Sequence, residues 1–313
     1  MNNKIFIISL NPAIDYVLNF ENFIKNKTNR PYKKDMYPAG KGIHVSMILN
    51  SLKYLNNESI IFIGGDFQNY FTNKLNDQNI KYKLFQANGD IRINLKIIDS
   101  EQTEASASGP EISQTEINKM FDYLKENVKP GDYIIANGSL PLNMSEDIYA
   151  KITSLANELQ AKCVIDAFGL SLTQAIKHKP FLIKPNVEEL EMTLKTKLTS
   201  KTDIKNACLK LIASGVENIL VSMGSDGAMF VNKTQALYCP IYNWNNKLVN
   251  AAGAGDSMLG GFIETYINSN NFEQALKFSI ICGSGTAYSQ RIASSEMIQE
   301  LAKNINDLKV IKI

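Results

Sequence analysis

Cysteine is scarce in this 313-residue sequence: Cys163, Cys208, Cys239 and Cys282 stand far apart, and no two form a CxxC pair. That spacing builds neither a disulfide framework nor a thiolate metal site, and each cysteine reads as a buried free thiol in a reducing compartment. An excess of one charge is missing as well. Thirty-three Lys and Arg against 31 Asp and Glu leave a net charge of +2 with the lysines scattered, so no footprint for nucleic acid or a membrane surface is present. Long apolar runs are absent: the N-terminal IFIISL has six residues before Asn11-Pro12, too few for a signal-peptide core or a bilayer span. The expectation is a cytoplasmic protein with no nucleic-acid or membrane partner. Two phosphate-binding signatures also fail. The Gly40-Lys41 pair lacks the upstream glycine and following hydroxyl of a P-loop, and Met258 stands where GxGxxG needs its third glycine.

What is present is a rhythm. KIFIISL (4–10), SIIFIGG (59–65), DYIIANGS (132–139), KCVIDAF (162–168), PFLIKPN (180–186) and NILVSMG (218–224) are short apolar runs. They alternate with amphipathic segments at 42–55, 113–127, 144–158 and 202–213, the pattern of a parallel sheet covered by helices on both faces. Most runs end in Gly, Asn, Asp or Ser, which suits ligand loops at the carboxyl edge. Residues 15–38 and 90–108 break the rhythm; they look like antiparallel strands that pair into a small lid sheet.

Five local patterns fall at expected strand ends or helix starts. VNAAGAGDSMLGGF (249–262) puts Gly253, Ala254 and Gly255 before Asp256 at the start of an apolar helix. Glycines there let amides approach an anion, yet an aspartate repels one. The conflict resolves if Asp256 takes a proton from a nucleophile while the amides hold developing charge. NPAID (11–15) places Asp15 at the first strand's edge, where a turn aspartate capping something local is the favoured explanation for the pattern alone. AGKGIHVS (39–46) sets Gly40 and Gly42 around Lys41, either an anion cradle or a helix start with a solvated lysine. KPNVEEL (184–190) spaces Asn186 and Glu189 as a capping box would. VSMGSDGAMF (221–230) fits a plain hairpin.

Taken together, these residues resemble the PfkB/ribokinase family of sugar kinases over essentially the whole chain. GAGDS and AGKGIHVS are similar to its two signatures, and NPAID, RINLKI (92–97), GPEIS (109–113), NGSLP (137–141) and KPNVEEL to the branch that phosphorylates ketohexose phosphates. The resemblance implies a three-layer α/β/α ribokinase-like fold with a mostly parallel central sheet and a small β-sheet lid. It puts the core at about 1–12, 39–88 and 109–313 and the lid at about 13–38 and 89–108. RINLKI with GAGDSM is nearer to kinases of fructose 1-phosphate than to those of tagatose 6-phosphate, so the implied reaction is ATP-dependent phosphorylation at the 6-hydroxyl.

By the same resemblance Asp256 is the general base, and the amides of Ala254, Gly255 and Asp256 after Gly253 are the anion hole. Asp15, the Gly40–Gly42 loop and His44 hold the sugar, while Lys41, Arg92 and Ser139 meet its phosphate. Lys184, Asn186, Ser222, Gly224 and Gly227 bind ATP, and Glu189 holds Mg²⁺ through water. A homodimer through the lid is implied too. Three departures lie on the sugar side: Ala39 for the usual glycine, His44 for the usual asparagine, and TEASAS before GPEIS. The expectation for His44 is that its neutral ring replaces the asparagine in contacting the sugar; a helix histidine packed on the core is the alternative.

Overall fold

The protein is described here by a computed structural model covering residues 3–245 and 247–313. The first strand, β1 (Ile5–Ser9), is buried at every position, as an apolar run must be when helices cover both faces. β2 (Ala13–Asn19) and β3 (Lys33–Ala39) follow, then α1 (Lys41–Ser51), β4 (Asn57–Ile63), α2 (Gln68–Asp77) and β5 (Tyr82–Gln86). Next come β6 (Arg92–Ile98), β7 (Gln102–Ser106), α3 (Gln114–Asn127), β8 (Tyr133–Asn137), α4 (Ile148–Glu158) and β9 (Lys162–Asp166). The chain continues through α5 (Gly169–Ile176), β10 (Leu182–Ile183), α6 (Val187–Leu194), α7 (Lys201–Ala213), β11 (Asn218–Ser222), β12 (Ala228–Asn232) and β13 (Ala236–Cys239). It ends with α8 (Ala254–Ser269), α9 (Phe272–Ala287), α10 (Ser295–Ala302) and β14 (Ile311–Lys312).

Ten strands form one sheet in the order β14-β13-β12-β11-β10-β9-β8-β1-β4-β5. The seven from β11 to β5 are parallel, and β12, β13 and β14 finish one edge antiparallel. Alternate residues of β1 feed two cores. Phe6 and Ile8 join the layer under α3, α4 and α7, and Ile5 and Ile7 join the one under α1, α8 and α9. This is the expected three-layer α/β/α architecture. The 221–230 segment is a hairpin, β11 to β12, around a 3-10 turn at Gly224–Asp226.

The second sheet has four strands in the order β3-β2-β6-β7. The expected antiparallel pairing holds for the two hairpins, β2–β3 and β6–β7, but the central pair, β2 with β6, is parallel from Ala13↔Arg92 to Asn19↔Ile98. The reason is where the strands begin. β2 leaves the carboxyl end of β1 and β6 leaves that of β5, so both run outward from the same edge of the large sheet.

Candidate active site

Strand order in the large sheet reverses at β1. The chain goes from β1 to β4 and β5 on one side, then returns to β8, β9, β10 and β11 on the other. A crevice opens at the carboxyl ends of the two strands flanking such a switch. Ser9, Asn137 and Asp166 end β1, β8 and β9 in register, all buried. Ser9 Oγ, both polar atoms of the Asn137 side chain and Asp166 Oδ2 have no partner among the described residues. A buried polar group left so costs about 1–3 kcal/mol, so these atoms are open to the polar atoms of a ligand or water. Asp166 Oδ1 accepts from Lys41 Nζ at 3.0 Å and pairs with Lys184 Nζ at 3.4 Å. Burial alone would raise its pKa; the two ammonium groups outweigh that and hold the carboxyl below its ordinary range. Lys41 also reaches Glu189 Oε1 at 3.4 Å, and although burial works against its charge, Asp166, Asp256 and Glu189 raise its pKa.

Asp256 stands in the first turn of α8, buried. Gly253 before the helix has φ +80°, a conformation for which L side chains are poorly suited, and no side chain among the described residues caps the helix start. The amide of Ala254 donates to the Ala251 carbonyl at 3.1 Å, so of the three expected anion-hole amides it is already engaged. Those of Gly255 and Asp256 keep the open valence of a helix start. Lys184 Nζ lies 3.4 Å from where a side chain on Gly255 would begin, adding a positive charge beside them. His44, one turn into α1, meets Asp256: Nδ1 is 2.8 Å from Oδ2.

The small sheet supplies the opposite wall. Asp15 Oδ2 pairs with Lys96 Nζ at 2.5 Å, and Asp15 Oδ1 accepts from Asn94 Nδ2 at 2.9 Å. Burial disfavours the Lys96 charge, but Asp15 raises its pKa. Arg92 donates through Nε and Nη2 to the Asn11 carbonyl and through Nη1 to Ser106 Oγ at 3.0 Å; burial lowers its pKa. With Lys41, Gly42 and Ser139 it lines a cavity of about 170 Å³ at the switch point. A second cavity of about 470 Å³ is lined by Asp15, His44, Lys96, Tyr37 and Arg291. Arg291, in the loop after α9, ties that loop to the small sheet through an ion pair with Asp35 and a 4.5 Å approach to the Tyr37 ring.

Asn186, Ser222, Gly224 and Gly227 line a third cavity of about 550 Å³ with Ala254, Gly255 and an apolar wall that includes Ile241, Met258 and Tyr288. Asn186 and Glu189 do form a capping box: Asn186 Oδ1 accepts from the Glu189 amide at 2.7 Å, and Glu189 Oε2 from the Asn186 amide at 2.8 Å. One Glu189 oxygen is thus structural and the other faces Lys41. Lys184 is buried against Asp166 rather than standing in the groove.

Every residue anticipated for the site lies along this edge or on the small sheet above it, with Gly40 at the left-handed turn into α1. The structure adds residues to this edge that the motifs alone do not single out. Asp166 ends the strand within KCVIDAF much as Asp15 follows the first strand, and Asn94 and Lys96 sit inside RINLKI, so each has a local signal. Arg291 had none, since its partners lie 256 and 254 positions away.

The model of the pfkB family of carbohydrate kinases matches residues 3–295. The chain is 32% identical to a 1-phosphofructokinase of Bacillus subtilis over 96% of this chain and 98% of that one. It is 30% identical to a tagatose-6-phosphate kinase of Staphylococcus epidermidis over 98% of this chain and the whole of the other. The crystal structure of phosphofructokinase-2 from Escherichia coli in complex with fructose-6-phosphate superposes with a TM-score of 0.89 at 23% identity, covering 97% and 99% of the two chains. A family match over nearly the full length and relatives at 30% identity or more agree with this crevice of cavities at the carboxyl edge: the chain belongs to the pfkB family of carbohydrate kinases and is a phosphotransferase with an alcohol group as acceptor.

Proposed function

We propose that the protein transfers the γ-phosphoryl group of ATP to the 6-hydroxyl of fructose 1-phosphate, giving fructose 1,6-bisphosphate and ADP. One observation carries this reading: Asp256 is buried at the open start of α8, whose Ala254 and Gly255 line the glycine-bounded groove, and its charge acts on Lys41, which lines the cavity that bears Arg92 and Ser139. Asp256 takes the hydroxyl proton as the sugar oxygen bonds to phosphorus and the β–γ bridging bond breaks toward ADP. The Gly255 and Asp256 amides, with Lys184, stabilise the transferring group. Asp15 and His44 face the sugar, Arg92 holds its phosphate as a guanidinium fork suits, and Asn186, Ser222, Gly224 and Gly227 hold the nucleotide.

Mg²⁺ fits the remaining groups. Among the described residues no three acidic, His or Cys side chains cluster as a protein cage. Asp166 Oδ2 has no partner, and Glu189 Oε1 faces the same lysine. Two carboxylates with water and phosphate oxygens is the donor set a reluctantly dehydrated ion accepts, and when bound it would neutralise phosphate charge. Segments 13–38 and 89–108 act as the lid over a core of 1–12, 39–88 and 109–313. β7, exposed along its whole length, offers an edge for a second copy in a homodimer. No helix among the described residues is long and apolar enough to cross a membrane, and we read the protein as cytoplasmic.

The second reading is phosphorylation of tagatose 6-phosphate, favoured by the Staphylococcus epidermidis relative. ADP release from the purified protein on fructose 1-phosphate, fructose 6-phosphate and tagatose 6-phosphate decides. The expected order puts fructose 1-phosphate first in kcat/KM; a higher value for tagatose 6-phosphate transfers the assignment to the second reading.

A further inference from the structure

Helices α1 and α8 both start at the carboxyl edge and lie side by side in the same direction. Gly260 makes the approach possible: a side chain there would begin 2.3 Å from Ile48 Cγ2 and 3.6 Å from the Val45 carbonyl. One turn earlier on each helix, the same stacking brings His44 onto Asp256. The ring also presses on the helix-start glycine, since a side chain on Gly253 would begin 3.2 Å from Nδ1. His44 is therefore wedged against both the carboxylate and the turn that opens α8. The titratable groups facing it are Asp256 from α8, Asp15 from β2, Tyr37 from β3, Lys96 from β6 and Arg291 from the loop after α9. Asp15 is paired with Lys96 and Arg291 with Asp35, which leaves Asp256 as the carboxylate in contact with the ring.

An ionised carboxylate only accepts, so Nδ1 must carry the hydrogen and Nε2 is left as the acceptor. We propose that His44 is a positioning residue for Asp256: the neutral ring engages Oδ2, leaves Oδ1 for the sugar hydroxyl, and lowers turnover when it becomes charged. A proton on Nε2 turns the contact into an ion pair. That pair stabilises the carboxylate charge and weakens Asp256 as a proton acceptor. Imidazole is the ordinary side chain that changes charge between about pH 5 and 8, whereas an asparagine in this place offers the same hydrogen bond with no titration. The inference rests on Asp256 being the base.

The test is kcat and KM for fructose 1-phosphate from pH 5.5 to 8.5 in the wild type, His44→Asn and His44→Ala, with Asp256→Asn at pH 8. Substrate phosphates also protonate in this range, but identically for every enzyme, so the readout is the ratio of wild-type kcat to that of His44→Asn. Expected are values within about threefold of each other at pH 8, a ratio falling about fivefold by pH 6, and a kcat loss of about tenfold in His44→Ala. A ratio constant with pH overturns the inference. Wild-type kcat in Asp256→Asn instead overturns the base assignment beneath it. A second measurement needs no turnover. The chain has two histidines, His44 and His178, so ¹⁵N chemical shifts separate them; Asp256→Asn should change the ring ¹⁵N shifts of His44 at pH 8 and leave those of His178 in place. Unchanged His44 shifts also overturn the inference.

Discussion

The starts of α6 and α8 lie on the same edge, near the same two lysines, and are finished in opposite ways. α6 is closed: Asn186 and Glu189 satisfy each other's amides in a reciprocal box. α8 is open: a left-handed glycine precedes it and no side chain among the described residues caps it. A closed start spends its amides on stability, whereas an open start keeps them for a ligand at a cost to the helix. The acidic residue three positions in differs accordingly. In α6 Glu189 folds back on its own backbone, while in α8 Asp256 turns away to His44. The same local geometry thus serves folding in one helix and, in the proposed reaction, chemistry in the other.

Asp256→Asn is the strongest way to break this contrast. It keeps the volume and removes the base, so kcat should fall by at least ~10²-fold while sugar-phosphate binding and the melting temperature stay near wild type. Steady-state kinetics with a melting curve checks it; unchanged kcat would put Asp256 on the structural side with Glu189. Arg92→Ala tests the remote handle. Loss of a charged hydrogen-bond partner is worth roughly 1.5–3 kcal/mol, so kcat/KM for the phosphosugar should drop about 10- to 150-fold with KM for ATP preserved. An unchanged KM for the phosphosugar counts against the handle. Asn186→Ala should act on the closed start with the smallest effect. Losing an N-cap costs about 1 kcal/mol, a fall of about 2–4 °C or less for a chain of this size, with a modest rise in KM for ATP. A melting temperature equal to wild type would mean that the box contributes nothing measurable.

The layers were legible because buried parallel strands announce themselves as unbroken apolar runs: β1, β8, β9, β10 and β11 fall inside the segments read as strands, and β4 starts two residues before its own. β5 was not, since YKLFQ is a short strand at the sheet edge, largely exposed and without an unbroken apolar run. The parallel pairing of β2 with β6 was hidden for another reason, because register between segments some 80 positions apart is decided by where each leaves the core. At the site, glycine-rich turns were readable from local conformation. Contacts that depend on how two helices stack were not, and His44 on Asp256 is one; the signal was Gly260 opposite Ile48, which names no partner until the fold is known.

The small sheet is two hairpins joined through a parallel pair seven residues long. Mechanically that makes it a single board: neither hairpin can tilt without the other. Asp15, Arg92 and Lys96 ride on the board, and Lys41, His44 and Asp256 are fixed to the layer beneath. A molecule touching both sets works as a rivet between two plates. Its own phosphate then supplies part of the force that presses the plates together, so a sugar stripped of that phosphate should arrive with the reacting hydroxyl less well held and turn over more slowly even at saturation.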